Sequence, residues 1–296
     1  MKNSKIEWTH HTFNPWWGCV KVSAGCKNCY AEIFSRRIGR DVWGAGKPRQ
    51  FASDAYWREP YKWNNQALLA GERHRVFVAS MGDIFENHPD EEIQRQMNEA
   101  RRCLAQLIVK TPYLDWLLLT KRPENIELHS RSMFGRDILD VMRKQRNLWL
   151  GVSVENQEMA NFRIPALLLA PNDIHDITAV RFVSIEPQLE AINLNRLENN
   201  YRDGYLVWDA LNGMQRISDS TGYHIGYHIR KLDWVICGGE SGANGRLFNP
   251  QWARSLRDQC KEAGVPFFMK QLGGHPNKRN RIEDLPEDLR IRDYPK

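Results

Sequence analysis

Leu148-Trp-Leu-Gly-Val-Ser-Val154, closed by Glu155-Asn156, is apolar along its length instead of alternating polar with apolar. A strand of that composition has both faces covered, as in a parallel sheet packed by helices. Working outward, the same short aliphatic or β-branched run, ending in polar, Gly or Pro residues and followed by a helix-like segment, recurs in both directions. Upstream, Thr12 to Trp17 leads into a cysteine-rich segment. Arg75-Val-Phe-Val-Ala-Ser80 runs into Met81-Gly82-Asp83, and Trp116-Leu-Leu-Leu119 ends in Thr120-Lys121-Arg122-Pro123. Downstream, Arg181-Phe-Val-Ser-Ile185 stops at Glu186-Pro187, Trp234-Val-Ile-Cys237 at Gly238-Gly239-Glu240-Ser241-Gly242, and Val265-Pro-Phe-Phe-Met269 at Lys270-Gln271. Runs of this kind separated by helices predict an α/β fold, a partial TIM-type (β/α) barrel with about six or seven parallel strands. The helix after the second run is predicted to begin near Asp90. Its Glu91 and Glu92 suit a helix N-terminus, and Ile93, Met97, Cys103, Leu104 and Leu107 form its inward stripe.

A chain of 296 residues, 42% of them apolar, can bury one large core. The expected organisation is a single barrel domain over residues 1–275 and a charged C-terminal tail over 276–296. The connection between the fifth and sixth strands is longer than a usual crossover. Its strand-like pieces, Tyr205-Leu-Val-Trp208 and Tyr223-His-Ile-Gly-Tyr-His-Ile229, predict an inserted hairpin or lid over 190–231. A net charge of +6 suits an anionic partner such as a nucleotide or DNA. The segment from Arg36-Arg37 through Arg40, Lys47 and Arg49 to Arg58 and Lys62 interleaves cations with Trp57, Tyr61 and Trp63, a composition that suits a phosphate-tracking, base-stacking surface or a basic helix over an aromatic core. No stretch has the roughly 18 consecutive apolar residues of a membrane span, and the first residues carry no apolar signal core, so a cytoplasmic protein with no membrane association is expected.

Three of the six cysteines lie together, as Cys19-x6-Cys26-x2-Cys29, while Cys103, Cys237 and Cys260 are scattered. Thiolates are soft ligands suited to iron-sulfur clusters or to zinc, and a C-x2-C pair places two sulfurs on one site. Three cysteines without a matching fourth leave one coordination position open. A structural zinc site would close it with His10 or His11, whereas a four-iron cluster would keep one iron free. In (β/α) barrels the active site is built on the C-terminal ends of the strands. Cys19, Asp83, Lys121, Arg122, Glu155, Glu186, Glu240 and Lys270 all follow or end a predicted strand and are expected to converge there.

A three-cysteine loop after the first strand of such a barrel resembles the radical S-adenosylmethionine superfamily, whose more common spacing is C-x3-C-x2-C. The Cys26-x2-Cys29 half matches and the first gap is longer. Asn14-Pro-Trp-Trp-Gly-Cys19, Ser80-Met-Gly-Asp-Ile-Phe85, Leu119-Thr-Lys-Arg-Pro123, Gly151-Val-Ser-Val-Glu155, Ser184-Ile-Glu-Pro187, Gly238-Gly-Glu-Ser-Gly242 and Phe268-Met-Lys-Gln271 together resemble one radical-SAM-like family common in phages and prophages. The resemblance implies a 4Fe-4S cluster on Cys19, Cys26 and Cys29. It also implies S-adenosyl-L-methionine as cofactor and an external electron donor of flavodoxin or ferredoxin type. Met81, Gly82 and Asp83 would receive the methionine amino group, while Ser153, Glu155, Gly238, Gly239 and Glu240 would contact the rest of the cofactor. Lys121 and Arg122 would bind an anionic substrate group, with Glu186 and Lys270 as catalytic residues. The implied reaction generates a 5'-deoxyadenosyl radical that takes hydrogen from a substrate, expected to be a nucleotide or a modified base in phage DNA. The alternatives are a zinc-stabilised nucleic-acid-binding protein and a cluster-free barrel hydrolase using Asp83, Glu155, Glu186 and Glu240.

Overall fold

A computed structural model describes residues 4 and 6–296, except 171, 202–203, 220–221, 242–243 and 274–280; side chains at 136–137, 172–173, 175, 201, 218–219 and 222–225 are also outside the description. Each of the seven apolar runs is a strand: β1 (His11–Phe13), β2 (His74–Val78), β3 (Leu114–Thr120), β4 (Leu148–Val154), β5 (Thr178–Ile185), β6 (Trp234–Gly238) and β7 (Phe267–Gln271). They form one sheet in the order β1-β2-β3-β4-β5-β6-β7. The pairs β1·β2, β2·β3, β5·β6 and β6·β7 are parallel, with Thr12 opposite Phe77, Phe77 opposite Leu117, Val183 opposite Val235 and Ile236 opposite Phe268. Sequential parallel order with intervening helices is the partial TIM-type barrel class the apolar runs predicted. All seven positions of β4 are buried, which is why its sequence does not alternate.

Contacts divide the chain into two compact units, one of Met1–Gly151 with Ala170–Ala179 and one of Val152–Leu169 with Val180–Lys296. In the first, the helix Glu91–Lys110 is capped by Asp90, whose side chain accepts the Ile93 amide at 2.9 Å. Met97, Ala100, Leu104, Leu107 and Ile108 are buried, each large side chain stabilising the unit by about 1.5–3 kcal/mol. Ile93 and Cys103, placed in the inward stripe by sequence, are only partly buried because they lie at the first turn and beside the Met97-Ala100-Leu104-Ile108 line.

In the second unit, the expected hairpin is a four-stranded antiparallel meander, Leu197–Tyr201, Gly204–Asp209, Met214–Asp219 and Gly222–His228. Leu197 pairs with Trp208, and both are buried. The described part of the C-terminal tail is packed onto this unit. Leu285 and Leu289 are buried, Arg292 bridges Phe268 antiparallel, and Trp234 donates its Nε1–H to the Asp293 carbonyl at 2.8 Å. Residues 276–280 of the expected tail lie outside the described residues. Among the described residues no helix is long and apolar enough to cross a membrane.

Two imidazoles of the first unit are kept neutral. His10 accepts the Arg75 amide at Nδ1, 2.8 Å away, and burial, Arg75 and His74 hold it at about 4, below the ordinary 6.5. Burial and Arg101 hold His129 at about 4 as well. Protons therefore bind the unfolded chain first: stability is independent of these groups above about 6.5 and falls as pH drops from there toward 4. Thermal melts across that window should show a falling midpoint, and His129→Gln should flatten the slope.

Candidate functional site

The chain leaves β1 through Asn14-Pro15 into Trp16–Trp17, which pairs antiparallel with Gln50–Phe51. Gly18 then turns with φ +114°, where a Cβ would lie 2.4 Å from the Val42 carbonyl oxygen. Only glycine fits that turn. Gly18→Ala combines a positive-φ strain of about 1–3 kcal/mol with a backbone clash, and chemical denaturation should record a loss at or above the top of that range. The Gly18 amide donates to the Met81 carbonyl at 3.0 Å, the Asn14 side chain accepts the Met81 amide at 2.8 Å, and the Tyr30 hydroxyl donates to the Ser80 carbonyl at 2.7 Å. The cysteine loop is thereby laid along the loop that follows β2.

Cys26 ends the single turn Ala24–Cys26, and Cys29 is the N-cap of the helix Tyr30–Arg37. All three thiols are free and partly exposed. Cys19, Cys29 and Trp17 pack against Ala31, Val42, Trp43 and Met81. Burial pushes the Cys19 and Cys29 thiols above their ordinary value, while Arg122 on Cys19 and Lys121 on Cys29 oppose it.

Behind the loop lies a buried polar lattice. Asp83 Oδ1 accepts from the Thr120 hydroxyl at 2.8 Å and the Phe85 amide at 3.0 Å, and Oδ2 accepts from the Lys121 amide and Arg122 Nη1, each at 3.0 Å. These four donors occupy the roughly four lone-pair positions of a carboxylate. Arg122 reaches from Asp83 to the cysteine loop: Nη2 donates to the Val20 carbonyl at 2.7 Å, and Nη1 lies 3.5 Å from Cys19 Sγ. Burial works against its charge, but Asp83, Cys19 and Glu86 outweigh burial and hold it above the ordinary arginine range. Glu86 takes a two-nitrogen contact from Arg49 at 3.1 and 2.9 Å. Arg49 Nη1 also donates to the carbonyls of Val42 and Lys47, which ties the loop between them to Glu86. Arg101 donates to the Ile84 and Glu86 carbonyls and lies over the Trp16 ring.

The second unit holds the other expected residues in three groups. Glu186 is paired with Lys270, and Gln271 Nε2 lies 3.2 Å from the same carboxylate and 2.7 Å from the Ser241 hydroxyl. Glu240 binds Arg246 through its amide, Nε and Nη2. Glu155 is fully buried against Arg163 at 3.0 Å, and Arg163 also donates to the Ser153 carbonyl. Gly239 is where backbone approaches backbone: a Cβ there would lie 2.1 Å from the Gly273 amide nitrogen. The space beside Gly239 is thus filled by Gly273, just past the end of β7, while Gly238 has only ordinary contacts. Gly242 lies outside the described residues.

Sequence reasoning missed Glu86, Arg101 and the role of Arg49. Arg49 is buried and so cannot track phosphate from the surface, while the burial of Trp63 in the same segment agrees with an aromatic core. The one available signal was Glu86 itself, an acid directly after the apolar Ile84-Phe85. His10 and His11, the candidate fourth zinc ligands, sit at the start of β1 with His74 at the start of β2, where His11 stacks on Trp63 at 4.5 Å. The cysteines follow the opposite end of β1 and meet the loop after β2.

Three free thiols with no fourth cysteine beside them fit, as a donor set, a four-iron cluster with one open iron. Among the described residues no three His, Cys, Asp or Glu side chains are assembled about a common metal position. The fit is therefore one of ligand chemistry and of loop placement.

A family model described as "Protein of unknown function (DUF5131)" matches residues 3–288. No curated protein matches the chain. Among solved structures, a spore photoproduct lyase mutant with bound AdoMet and dinucleoside spore photoproduct is similar over 88% of this chain and 75% of that chain, at 13% sequence identity and a TM-score of 0.43.

Proposed function

We propose, for a chain that belongs to the DUF5131 family, that it is a radical S-adenosylmethionine enzyme with a 4Fe-4S cluster on Cys19, Cys26 and Cys29. The observation that carries this reading is three free thiols in one loop after the first barrel strand, laid on the Met81-Gly82-Asp83 loop with a buried arginine at the first sulfur. When bound, such a cluster supplies the electron that cleaves S-adenosyl-L-methionine to a 5'-deoxyadenosyl radical able to take hydrogen from substrate.

The chain's own residues bind, orient and exclude water. Met81 and Gly82 are proposed to receive the methionine amino group through backbone carbonyls. Asp83, its acceptor positions filled, orients the Thr120-Lys121-Arg122 turn beneath them. Ser153, Glu155, Gly238, Gly239 and Glu240 are proposed for the rest of the cofactor. Glu155 and Glu240 would act through Arg163 and Arg246, which fix the segments after β4 and β6. The Glu186–Lys270 pair is proposed to meet the substrate, with the Lys270 ammonium as donor and the Glu186 carboxylate as acceptor for a moving proton. A nucleotide or modified base in phage DNA is the proposed substrate, suited to the net charge of +6. The proposed partner is a flavodoxin- or ferredoxin-type electron donor in the cytoplasm.

The test is anaerobic purification and reconstitution. Expected are a brown protein with broad absorbance near ~400 nm, about four irons per chain, and 5'-deoxyadenosine after reduction with S-adenosylmethionine. Running it with and without nucleotides or DNA asks whether substrate accelerates cleavage. Stoichiometric zinc without iron would favour the zinc-protein alternative, and a metal-free protein with hydrolytic activity would favour the cluster-free one.

A further inference from the structure

We propose that Arg122 is a positioning residue for the cysteine loop that sets the electron affinity of its cluster, and does not bind substrate. The proposal rests on the cluster reading above. Arg122 directs its guanidinium at one sulfur and at the backbone beside it: Nη1 is 3.5 Å from Cys19 Sγ and Nη2 2.7 Å from the Val20 carbonyl. The other contacts are carboxylates, Asp83 at 3.0 Å and Glu86 at 3.7 Å, and the side chain is only 8% exposed. Its amide is held by the Thr120 hydroxyl at 2.8 Å, so main chain and side chain are both fixed. A group spent in this way on buried partners has little left for a substrate phosphate or carboxylate.

What it does suit is a thiolate. Three thiolates on a four-iron cluster leave the assembly anionic, and more anionic once it accepts an electron. A buried cation within hydrogen-bond reach of one ligand sulfur favours the reduced state more than the oxidised one, because the Coulomb interaction grows with the added charge in a poorly screened site. Hydrogen bonds to cluster sulfurs and local net charge are established means of setting cluster potentials. Asp83 and Glu86 keep the guanidinium from being an uncompensated buried charge. The fork contacts the sulfur and its neighbouring carbonyl together, a geometry an ammonium cannot reproduce.

The experiment is an EPR-monitored redox titration of anaerobically reconstituted wild type, Arg122→Gln, Arg122→Lys and Arg101→Lys, with iron and sulfide measured on each. Arg122→Gln should make reduction harder by about tenfold in equilibrium constant, equal to about 59 mV toward negative potential for one electron. Arg122→Lys should shift in the same direction by less. Arg101→Lys cuts buried hydrogen bonds to Ile84 and Glu86 without touching a sulfur, so it should lower thermal stability and leave the potential in place. An unchanged potential in an iron-replete Arg122→Gln overturns the proposal. Should that variant hold no iron, Arg122→Lys decides: a shift of a few-fold supports the assignment and none overturns it. A wild type that assembles no cluster overturns the function proposed above, a failure distinct from an unshifted potential.

Discussion

Cys26→Ala is expected to reduce the iron of the reconstituted protein from about four per chain to background and to abolish 5'-deoxyadenosine formation. The cysteine loop has no spare ligand. Cys237 and Cys260 are fully buried in the second unit, where burial pushes the Cys260 thiol up to about 12 and raises the Cys237 thiol well above its ordinary value. Cys103 sits on the helix Glu91–Lys110 beside Glu99, which together with burial raises it too. The substitution itself removes little: Cys26 is partly exposed, and its sulfur has one contact of 4.0 Å to the Ser23 hydroxyl. Without iron, the stability of Cys26→Ala should stay within about 0.5 kcal/mol of wild type. Iron content and the melting point of the apoprotein, measured side by side, therefore separate lost ligation from lost folding. Retention of iron and cleavage activity would refute the ligand assignment.

Glu86→Ala should cost the first unit about 3–5 kcal/mol, the penalty of stranding a buried charge. Its partner Arg49 has no exposed side-chain surface, and Arg122 lies 3.7 Å from the same carboxylate. Burial raises the Glu86 carboxyl and Arg49 offsets only part of that rise, so the charged form depends on its partner. Arg49→Met should be similarly costly, because it leaves Glu86 buried and also releases the carbonyls of Val42 and Lys47. Glu86→Ala/Arg49→Met together should lose less than the two single changes summed, by about 0.5–3 kcal/mol in a double-mutant cycle followed by chemical denaturation. Additive losses would show that the two side chains do not act as a pair.

Much of the frame is legible in particular residues. Leu148, Trp149 and Leu150 follow one another without a polar alternation, and that local pattern already implies a strand covered on both faces. Asp90 with Glu91 and Glu92 announces the start of its helix because capping is a contact within one turn. The clustering of Cys26 with Cys29 is legible for the same reason, the two lying within four residues of each other. Strand-end placement allows Glu186 to pair with either Lys270 or Arg122, and the pair formed is with Lys270, 84 residues away. The insertion over 190–231 was read as a hairpin because only two of its four strands carry a strong β composition; Leu197–Tyr201, Leu-Glu-Asn-Asn-Tyr, forms its strand through pairing with Gly204–Asp209.

The apolar strands and the clustering of Cys19, Cys26 and Cys29 are legible in the chain alone, since each depends on periodicity or spacing within a few residues. Which way the charges point is set by folding. Lys121 and Arg122 are adjacent cations in the chain, and nothing local distinguishes a substrate ligand from a strut. Asp83, 39 residues away from Arg122, and Cys19, 103 away, turn the arginine inward. Arg49 and Glu86, 37 residues apart, are both buried and paired with each other, because the cost of an ion in a low-dielectric interior is met by a partner that folding, not sequence proximity, supplies.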